Sequence, residues 1–263
     1  MRAISVVIIA QNEAERIAVA IRSAQRFADE VLVVDGGSTD GTRERARALR
    51  CVVLDNPWPG YAKQRNFGAA RAAHPWIFML DADEEVGDDL AASLNQWKAA
   101  SAKVAEAFEV RRVGDFLGRW LPGAAEHLVR LYHRERFGIR DVPVHETPDT
   151  GDAPVARLQG TLWHHGFRSI GDHIRRFEAY ADLEAHTAFA RGQRFALWRL
   201  LLRSPARFVQ WYVWRRTAAQ GVPGLFVALL WVYYELALHM KLYELEWRAE
   251  RTAPAAPPAV TPR

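Results

Sequence analysis

Along the first hundred residues, apolar and polar positions switch back and forth between two periods. Ile4–Ala10 is a continuous apolar run of strand length. Across residues 14–27 the apolar side chains Ile17, Ala20, Ile21 and Ala24 fall at helical spacing. Residues 31–34 form a short β-branched strand, and the turn-rich Asp35-Gly36-Gly37-Ser38-Thr39-Asp40-Gly41 follows. The pattern then predicts a helix at 42–49, a strand at 51–54, a Pro/Gly loop at 56–60, a helix at 61–73, a strand at 76–80 and a helix at 88–100. Such alternation predicts an α/β fold, a mostly parallel sheet with helices on both faces. Ligands on such sheets bind outside the carboxyl ends of the strands. The residues that follow each strand are therefore the ones to read for chemistry.

From residue 107 the pattern changes to short strands at 107–110, 128–132 and 158–163, separated by loops rich in Gly, Pro and charge. Residues 1–167 are expected to form one domain, with halves at 1–100 and 101–167. Ser169-Ile170-Gly171-Asp172 has the spacing of a capping box and opens a helix that runs to about Arg191, where Gly192 stops it. Two aromatic helical stretches follow, divided at Ser204-Pro205 and at Gly221-Val222-Pro223-Gly224. Residues 168–250 thus read as a helical, basic and aromatic region, and 251–263 as a disordered Pro/Ala-rich tail.

Composition narrows the class. With 49% hydrophobic, 25% charged and 11% aromatic residues, the chain is globular rather than disordered. The single cysteine, Cys51, leaves no disulfide framework and no cysteine-based zinc site. The N-terminus runs directly into a strand pattern without the features of a signal peptide, so the catalytic part is expected in the cytoplasm. The net charge is only +4, but it is unevenly spread. Residues 185–234 hold no Asp or Glu, yet include Arg191, Arg194, Arg199, Arg203, Arg207, Arg215 and Arg216. One half therefore suits a small-molecule site and the other an anionic surface.

Three strand ends deliver carboxylates to one edge of the sheet: Glu13 after the first, Asp35 after the second, and Asp81 with Asp83 after 76–80. Two carboxylates one residue apart in a turn suit a single divalent cation, bound directly or through water. Hard oxygen donors favour Mg²⁺ or Mn²⁺, which bind through one or two carboxylates plus substrate phosphates. Such an ion neutralises a departing diphosphate.

At this point the residues resemble a known family. Ile8-Ile9-Ala10-Gln11-Asn12-Glu13, Val33-Val34-Asp35-Gly36-Gly37-Ser38-Thr39-Asp40-Gly41-Thr42, Ala62-Lys63-Gln64-Arg65-Asn66-Phe67-Gly68 and Leu80-Asp81-Ala82-Asp83-Glu84 are similar, in order and spacing, to the motifs of glycosyltransferase family 2. The resemblance implies a GT-A (Rossmann-like) fold and an Asp-x-Asp metal site. It puts Asn12, Glu13 and Asp35 on the donor, with Glu13 and Asp35 facing the uracil and ribose of a UDP-sugar. It brings Lys63 or Arg65 to the donor phosphates, and Asp40 is expected to brace the Gly-rich turn. Residues 1–100 become the donor half and 101–167 the acceptor half. An inverting transfer needs a base for the acceptor hydroxyl. Glu146, in Val142-Pro143-Val144-His145-Glu146, is the candidate, with Asp141 the alternative and His145 a residue to orient it or touch the acceptor. Arg130 is placed at the diphosphate or acceptor. In Trp163-His164-His165-Gly166 one histidine is expected to act, and His164 is nominated as a metal ligand.

Trp198, Phe208, Trp211, Tyr212 and Trp214 interleave with the arginines of the acid-free stretch. That composition belongs to helices lying in an anionic membrane interface. The apolar run 224–234 is too short to span a bilayer, so a membrane-associating region in peripheral contact is expected rather than a span. Nucleic-acid binding is not expected. Residues 164–183 and 240–245 resemble bacterial lipopolysaccharide-core β-1,4-glucosyltransferases. That resemblance implies transfer of glucose from UDP-glucose to a heptose of the lipid A–core, at the inner face of the cytoplasmic membrane. Polyprenyl phosphate or a protein side chain is the alternative acceptor. A non-catalytic membrane-bound sugar-nucleotide binding module is the alternative of a different class.

Overall fold

The computed structural model describes residues 2–100, 105–140, 147–166 and 169–252. They divide into two compact units, Met1–Phe167 and Arg168–Arg263.

In the first unit, nine strands join in one sheet. Its chain order is β1 (Ile4–Ala10), α1 (Ile17–Ala24), β2 (Glu30–Asp35), α2 (Thr42–Ala48), β3 (Val52–Asp55), α3 (Tyr61–Arg71), β4 (Trp76–Asp81), β5 (Glu84–Val86), α4 (Asp88–Ala99), β6 (Ala107–Phe116), β7 (Arg119–Trp120), β8 (Glu126–His133) and β9 (Val155–His164). Across the sheet the order is β3-β2-β1-β4-β8-β6-β9-β5, with β7 paired to β6. The strands β3, β2, β1 and β4 are parallel, as their alternation with helices requires. Beyond β4 the sheet is mixed: β8 runs antiparallel to β4 and to β6, β9 is parallel to β6, and β5 is antiparallel to β9. The parallel register thus stops where the helix alternation stops in the sequence.

Both faces are covered because β1 is buried at every position, with Ser5 its one polar residue, and alternates its side chains between two cores. Ile4, Val6 and Ile8 pack with Ile17, Ala20 and Ile21 of α1, Ala46 of α2, and Leu90 and Leu94 of α4. Val7 and Ile9 pack on the other face with Ala62 and Ala69 of α3 and with Tyr132 of β8. The α1 helix is shorter than the sequence pattern suggests, because residues 14–16 form a turn ahead of Ile17. In α4, Asp88 and Asp89 sit in the first turn and Lys98 in the last, matching the helix dipole. The three-residue β5, directly after the Asp81–Asp83 turn, has no signal in the sequence; its pairing with β9 creates it.

A bulge fixes how β9 ends. Between Glu109 and Arg111 of β6, the partner strand advances from Arg157 to Thr161. Gly160 lies in that excess with φ +106°, and a Cβ there would stand 2.3 Å from the Leu90 nitrogen and 2.5 Å from its Cα. The close approach lets Gly87 N donate to Thr161 O (2.9 Å), and Thr161 N donate to Asp89 Oδ1 (3.2 Å). The start of α4 therefore anchors the strand that carries His164.

In the second unit, α5 (Ile170–Ala190), α6 (Leu197–Val209) and α7 (Val222–Thr252) are joined by a π-helical turn at Gln210–Trp214 and a 3₁₀ turn at Thr217–Gln220. Ser169 caps α5 as its spacing predicts, with Oγ accepting from Asp172 N at 3.1 Å. Ala181 and Ala185 of α5 pack on Ala237 and Leu238 of α7. Ser204-Pro205 does not divide the chain as expected: α6 runs through it with Pro205 inside. Proline removes one backbone donor there, and packing of α6 along α7 outweighs that loss. The other expected break falls at Gly221, and α7 then continues without interruption. By length and composition α7 is long and apolar enough to cross a membrane, which the short run at 224–234 did not foretell.

Gly160→Ala should destabilise the first unit by at least about 2 kcal/mol, since overpacking against backbone adds to the positive-φ penalty. Gly192→Ala also has a positive φ (+80°) but open space around its Cβ, and should cost only about 1–2 kcal/mol. Urea unfolding of both variants measures the difference.

Candidate active site

The carboxyl ends of β1 and β2 are stitched together by short polar side chains. Asn12, held at φ +56°, donates its backbone N–H to Ser38 Oγ (2.9 Å) and accepts from Thr39 N at its Oδ1 (2.9 Å). Glu13 N donates to Thr42 Oγ1, and Ala14 N to Asp40 Oδ2. Asp40 also accepts from Thr42 N and Oγ1, so it braces the Gly-rich turn. Asp35 is buried; its Oδ2 accepts from Gly37 N (2.9 Å) and Ser38 N (2.8 Å), the turn that Gly37 permits with φ +96°. Its Oδ1 is buried with no hydrogen-bond partner among the described residues. A buried acceptor of that kind is costly unless something donates to it, and a ligand hydroxyl or N–H is such a donor.

Asp81 and Asp83 have different surroundings. Asp81 ends β4 with Oδ1 on Arg65 Nη2 of α3 (2.8 Å) and Oδ2 on Arg130 Nη2 of β8 (3.1 Å). Arg130 also donates to Glu84, whose side chain has no exposed surface, and Arg112 of β6 lies 3.4 Å from the same carboxylate. Glu84 in turn accepts from Asp81 N (3.0 Å). Burial pushes the Asp81 carboxyl up, but Arg65, Arg130 and Arg112 outweigh it and hold it well below the usual carboxylate range. Burial lowers the Arg130 guanidinium, and Glu84 and Asp81 more than reverse that. The Nε atoms of Arg65 and Arg130 are buried without a hydrogen-bond partner among the described residues.

Asp83 instead meets His164, with Oδ2 and Nε2 3.6 Å apart, and Arg16 Nη1 lies 3.6 Å from the same oxygen. Burial raises the Asp83 carboxyl, and contact with His164 together with the charge of Arg16 brings it below its ordinary value despite repulsion from Asp81. Burial lowers His164, and Asp83 more than offsets this, so its net shift is upward. Arg16 grips Glu13 at both carboxylate oxygens (2.9 and 3.0 Å) and donates to His165 O (2.7 Å) and Gly166 O (3.0 Å). It thereby ties the first turn of the sheet edge to the end of β9. A depression of about 230 Å³ beside Asp83 is lined by Glu15, Arg16, Val19, Ala82, Glu84 and His165.

Strand alternation separates the two histidines. His164 faces Asp83, while His165 Nε2 lies 3.0 Å from Glu85 Oε2. Of the two cations nominated on α3, Arg65 is buried beside Asp81, and Lys63 lies on the exposed side of the helix. The base candidates Glu146 and Asp141 lie outside the described residues. Arg16, Glu84 and Arg112 carry the electrostatics of the site without having been singled out in the sequence. Glu84 adjoins the Asp-x-Asp motif, which was a signal; Arg112 reads only as one of several strand arginines.

Among the described residues, no group of three or more His, Cys, Asp or Glu could hold a metal unaided. Asp83 and His164 supply one oxygen and one nitrogen donor on the same side of the turn. This donor pair would suit an Mg²⁺ or Mn²⁺ ion, with diphosphate oxygens and water as further ligands. Asp81, with both oxygens on arginines, is less available to share that ion.

Residues 5–151 match the family described as glycosyl transferase family 2. The chain is 27% identical over 264 residues to an uncharacterized glycosyltransferase of Rickettsia typhi, covering 95% of this chain and 89% of the relative. It is 28% identical over 253 residues to the lipopolysaccharide core biosynthesis glycosyltransferase LpsC of Rhizobium meliloti, covering 92% of each. Among solved structures, glucosyl-3-phosphoglycerate synthase from Mycobacterium tuberculosis, in complex with Mn²⁺, UDP-glucose and phosphoglyceric acid, aligns with a TM-score of 0.50 at 18% identity, over 74% of this chain and 82% of that one. That likeness supports the GT-A fold. The family match extends over more than half of the chain and takes in the ends of β1, β2 and β4 described above: this nucleotide-sugar-dependent enzyme belongs to glycosyl transferase family 2.

Proposed function

We propose that this enzyme transfers a hexose, glucose from UDP-glucose as first choice, with inversion onto a heptose of the lipopolysaccharide inner core. The acceptor is lipid-linked and presented at the inner face of the cytoplasmic membrane. The observation that carries the donor half is the convergence of Asp83 and His164 beside Arg16 at the carboxyl edge of the sheet. The acceptor half rests on the similarity to LpsC, which runs through both units rather than the catalytic one alone.

Each residue then has a task. Asp83 and His164 hold the divalent ion, which when bound supplies positive charge to the departing diphosphate. Asp81 receives a different role from its partner in the motif: it fixes Arg65 and Arg130, whose remaining donors suit diphosphate or acceptor oxygens. Asp35, through its unpartnered Oδ1, accepts from the nucleoside. Glu13 is held by Arg16 and shapes the same edge. Glu146 removes the proton of the acceptor hydroxyl, with Asp141 the alternative base.

Asp83→Ala should lower turnover at least about 100-fold, consistent with loss of charge stabilisation in the transition state, while circular dichroism stays unchanged. UDP binding measured by calorimetry should at the same time lose its dependence on Mn²⁺ or Mg²⁺. Full activity in this variant removes the metal assignment. For the base, Glu146→Gln should abolish transfer yet keep metal-dependent UDP binding. If Asp141→Asn shows that behaviour instead, the base is Asp141. Mass analysis of lipopolysaccharide core from cells lacking the protein should show one hexose fewer; an unaltered core sinks the acceptor assignment.

A further inference from the structure

Large apolar side chains that face solvent are concentrated in the second unit. Among the described residues sixteen of twenty-one lie at 169–252, so the exposure belongs to that unit and not to the catalytic one. Trp198, Leu201, Leu202, Val209, Val213 and Trp214, on α6 and the turn after it, are each more than 40% exposed.

Helical geometry puts these residues in order. At 3.6 residues per turn, Trp198, Leu201, Leu202, Pro205 and Val209 share one arc of α6. Arg199, Arg203 and Arg207, four apart, form a stripe along its flank. Ser204 is buried and Leu200, Arg207 and Phe208 are half-buried, which marks the side that packs on α7. The rotation of α6 is fixed by charge. Glu235 of α7 is 1% exposed and receives Arg207 Nη2 at 2.8 Å and Nε at 3.2 Å, with Arg203 Nη1 at 3.6 Å and His239 Nε2 at 3.3 Å. A buried carboxylate needs such partners. Meeting them turns Arg207 of the stripe inward, with the Arg203 side chain still 60% exposed at the edge, and leaves the apolar arc facing out.

We infer that α6 is an in-plane membrane helix, seated by its outer apolar arc in the interface of an anionic phospholipid bilayer, and that α7 is its buttress rather than a span. This rests on the membrane-borne acceptor proposed above and names the element that reaches it. Charge selects the occupant. Residues 185–234 hold no acid, and along the chain Arg191, Arg194, Arg199 and Arg216 accompany α6 and the turn after it, which expose Trp198 and Trp214. A second copy of the chain would press like-charged stripes together, whereas an anionic lipid surface is attracted to them. Tryptophan and arginine at the edge of an apolar arc are the side chains that settle at the headgroup boundary. The middle of α7 holds two buried polar side chains, Glu235, paired with Arg207 of α6, and His239, beside Glu235 on α7 itself, which argues against hydrocarbon around that helix.

The test is cosedimentation of the full chain with vesicles of phosphatidylcholine alone, or with about a third phosphatidylglycerol. Binding should be at least about tenfold tighter to the anionic vesicles and should weaken with salt. The variant Leu201→Glu/Leu202→Glu should lose at least about tenfold in that binding, while metal-dependent UDP binding in solution stays at the wild-type level. Lipids with brominated acyl chains should quench the wild type, and Trp198→Phe/Trp214→Phe should remove most of that quenching. Undiminished vesicle binding by the Leu variant overturns the proposal. So does a solution dimer that this variant dissociates, which would give the arc to a second copy, or resistance to alkaline extraction, which would make α7 a span. Because UDP binding is read separately, failure of the donor assignment leaves the vesicle result interpretable, and the reverse also holds.

Discussion

A buried carboxylate holds the catalytic unit together. Glu84 has no exposed side-chain surface, yet it lies against Arg130 and Arg112 and accepts the backbone N–H of Asp81. Removing either sign from such a cluster leaves a buried charge without compensation, at about 3–5 kcal/mol. The constraint is geometric as well as energetic. To satisfy Glu84 and Asp81 together, α3 must deliver Arg65, β8 must deliver Arg130 and β6 must deliver Arg112 to the end of β4. The parallel and antiparallel halves of the sheet meet at this point. The cluster therefore joins the two halves and sets where the adjoining Asp83 stands.

The geometry of the proposed metal site follows from that placement. The short β5 pairs with β9 and brings His164 opposite Glu84. The bulge at Gly160 and the hydrogen bonds between α4 and Thr161 set how far β9 runs before it reaches Asp83. Arg16 closes the arrangement from the other side by holding Glu13 and the backbone of His165 and Gly166. Side chains supported in this way are preorganised, and charge stabilisation at a leaving group depends on such preorganisation.

The same physical device recurs in the helical unit. Glu235, buried on α7, is met by Arg207 as Glu84 is met by Arg130, with Arg203 farther out at 3.6 Å. In the first unit the buried carboxylate organises a site. In the second it sets which side of α6 faces out. Both carboxylates sit next to apolar runs, where hydrophobicity alone marks them as interruptions.

Much of the first hundred residues was legible in the sequence, because local periodicity and strand-end chemistry are short-range properties. The apolar run of β1, the helical spacing of α1, the Gly-rich turn after Asp35 and the Asp81–Asp83 turn are set by neighbours a few positions away. Ordered motifs were enough to indicate the family. The sequence could not show that Asp81 and Asp83 part company, since their partners Arg65, Arg130, Arg16 and His164 arrive from elements far apart in the chain. Nor could it show that α6 passes through Pro205, where packing between helices outweighs the missing hydrogen bond. Local chemistry determined the elements and the kind of site; the pairing of distant charges, which exists only in the folded chain, decided which residues the site contains.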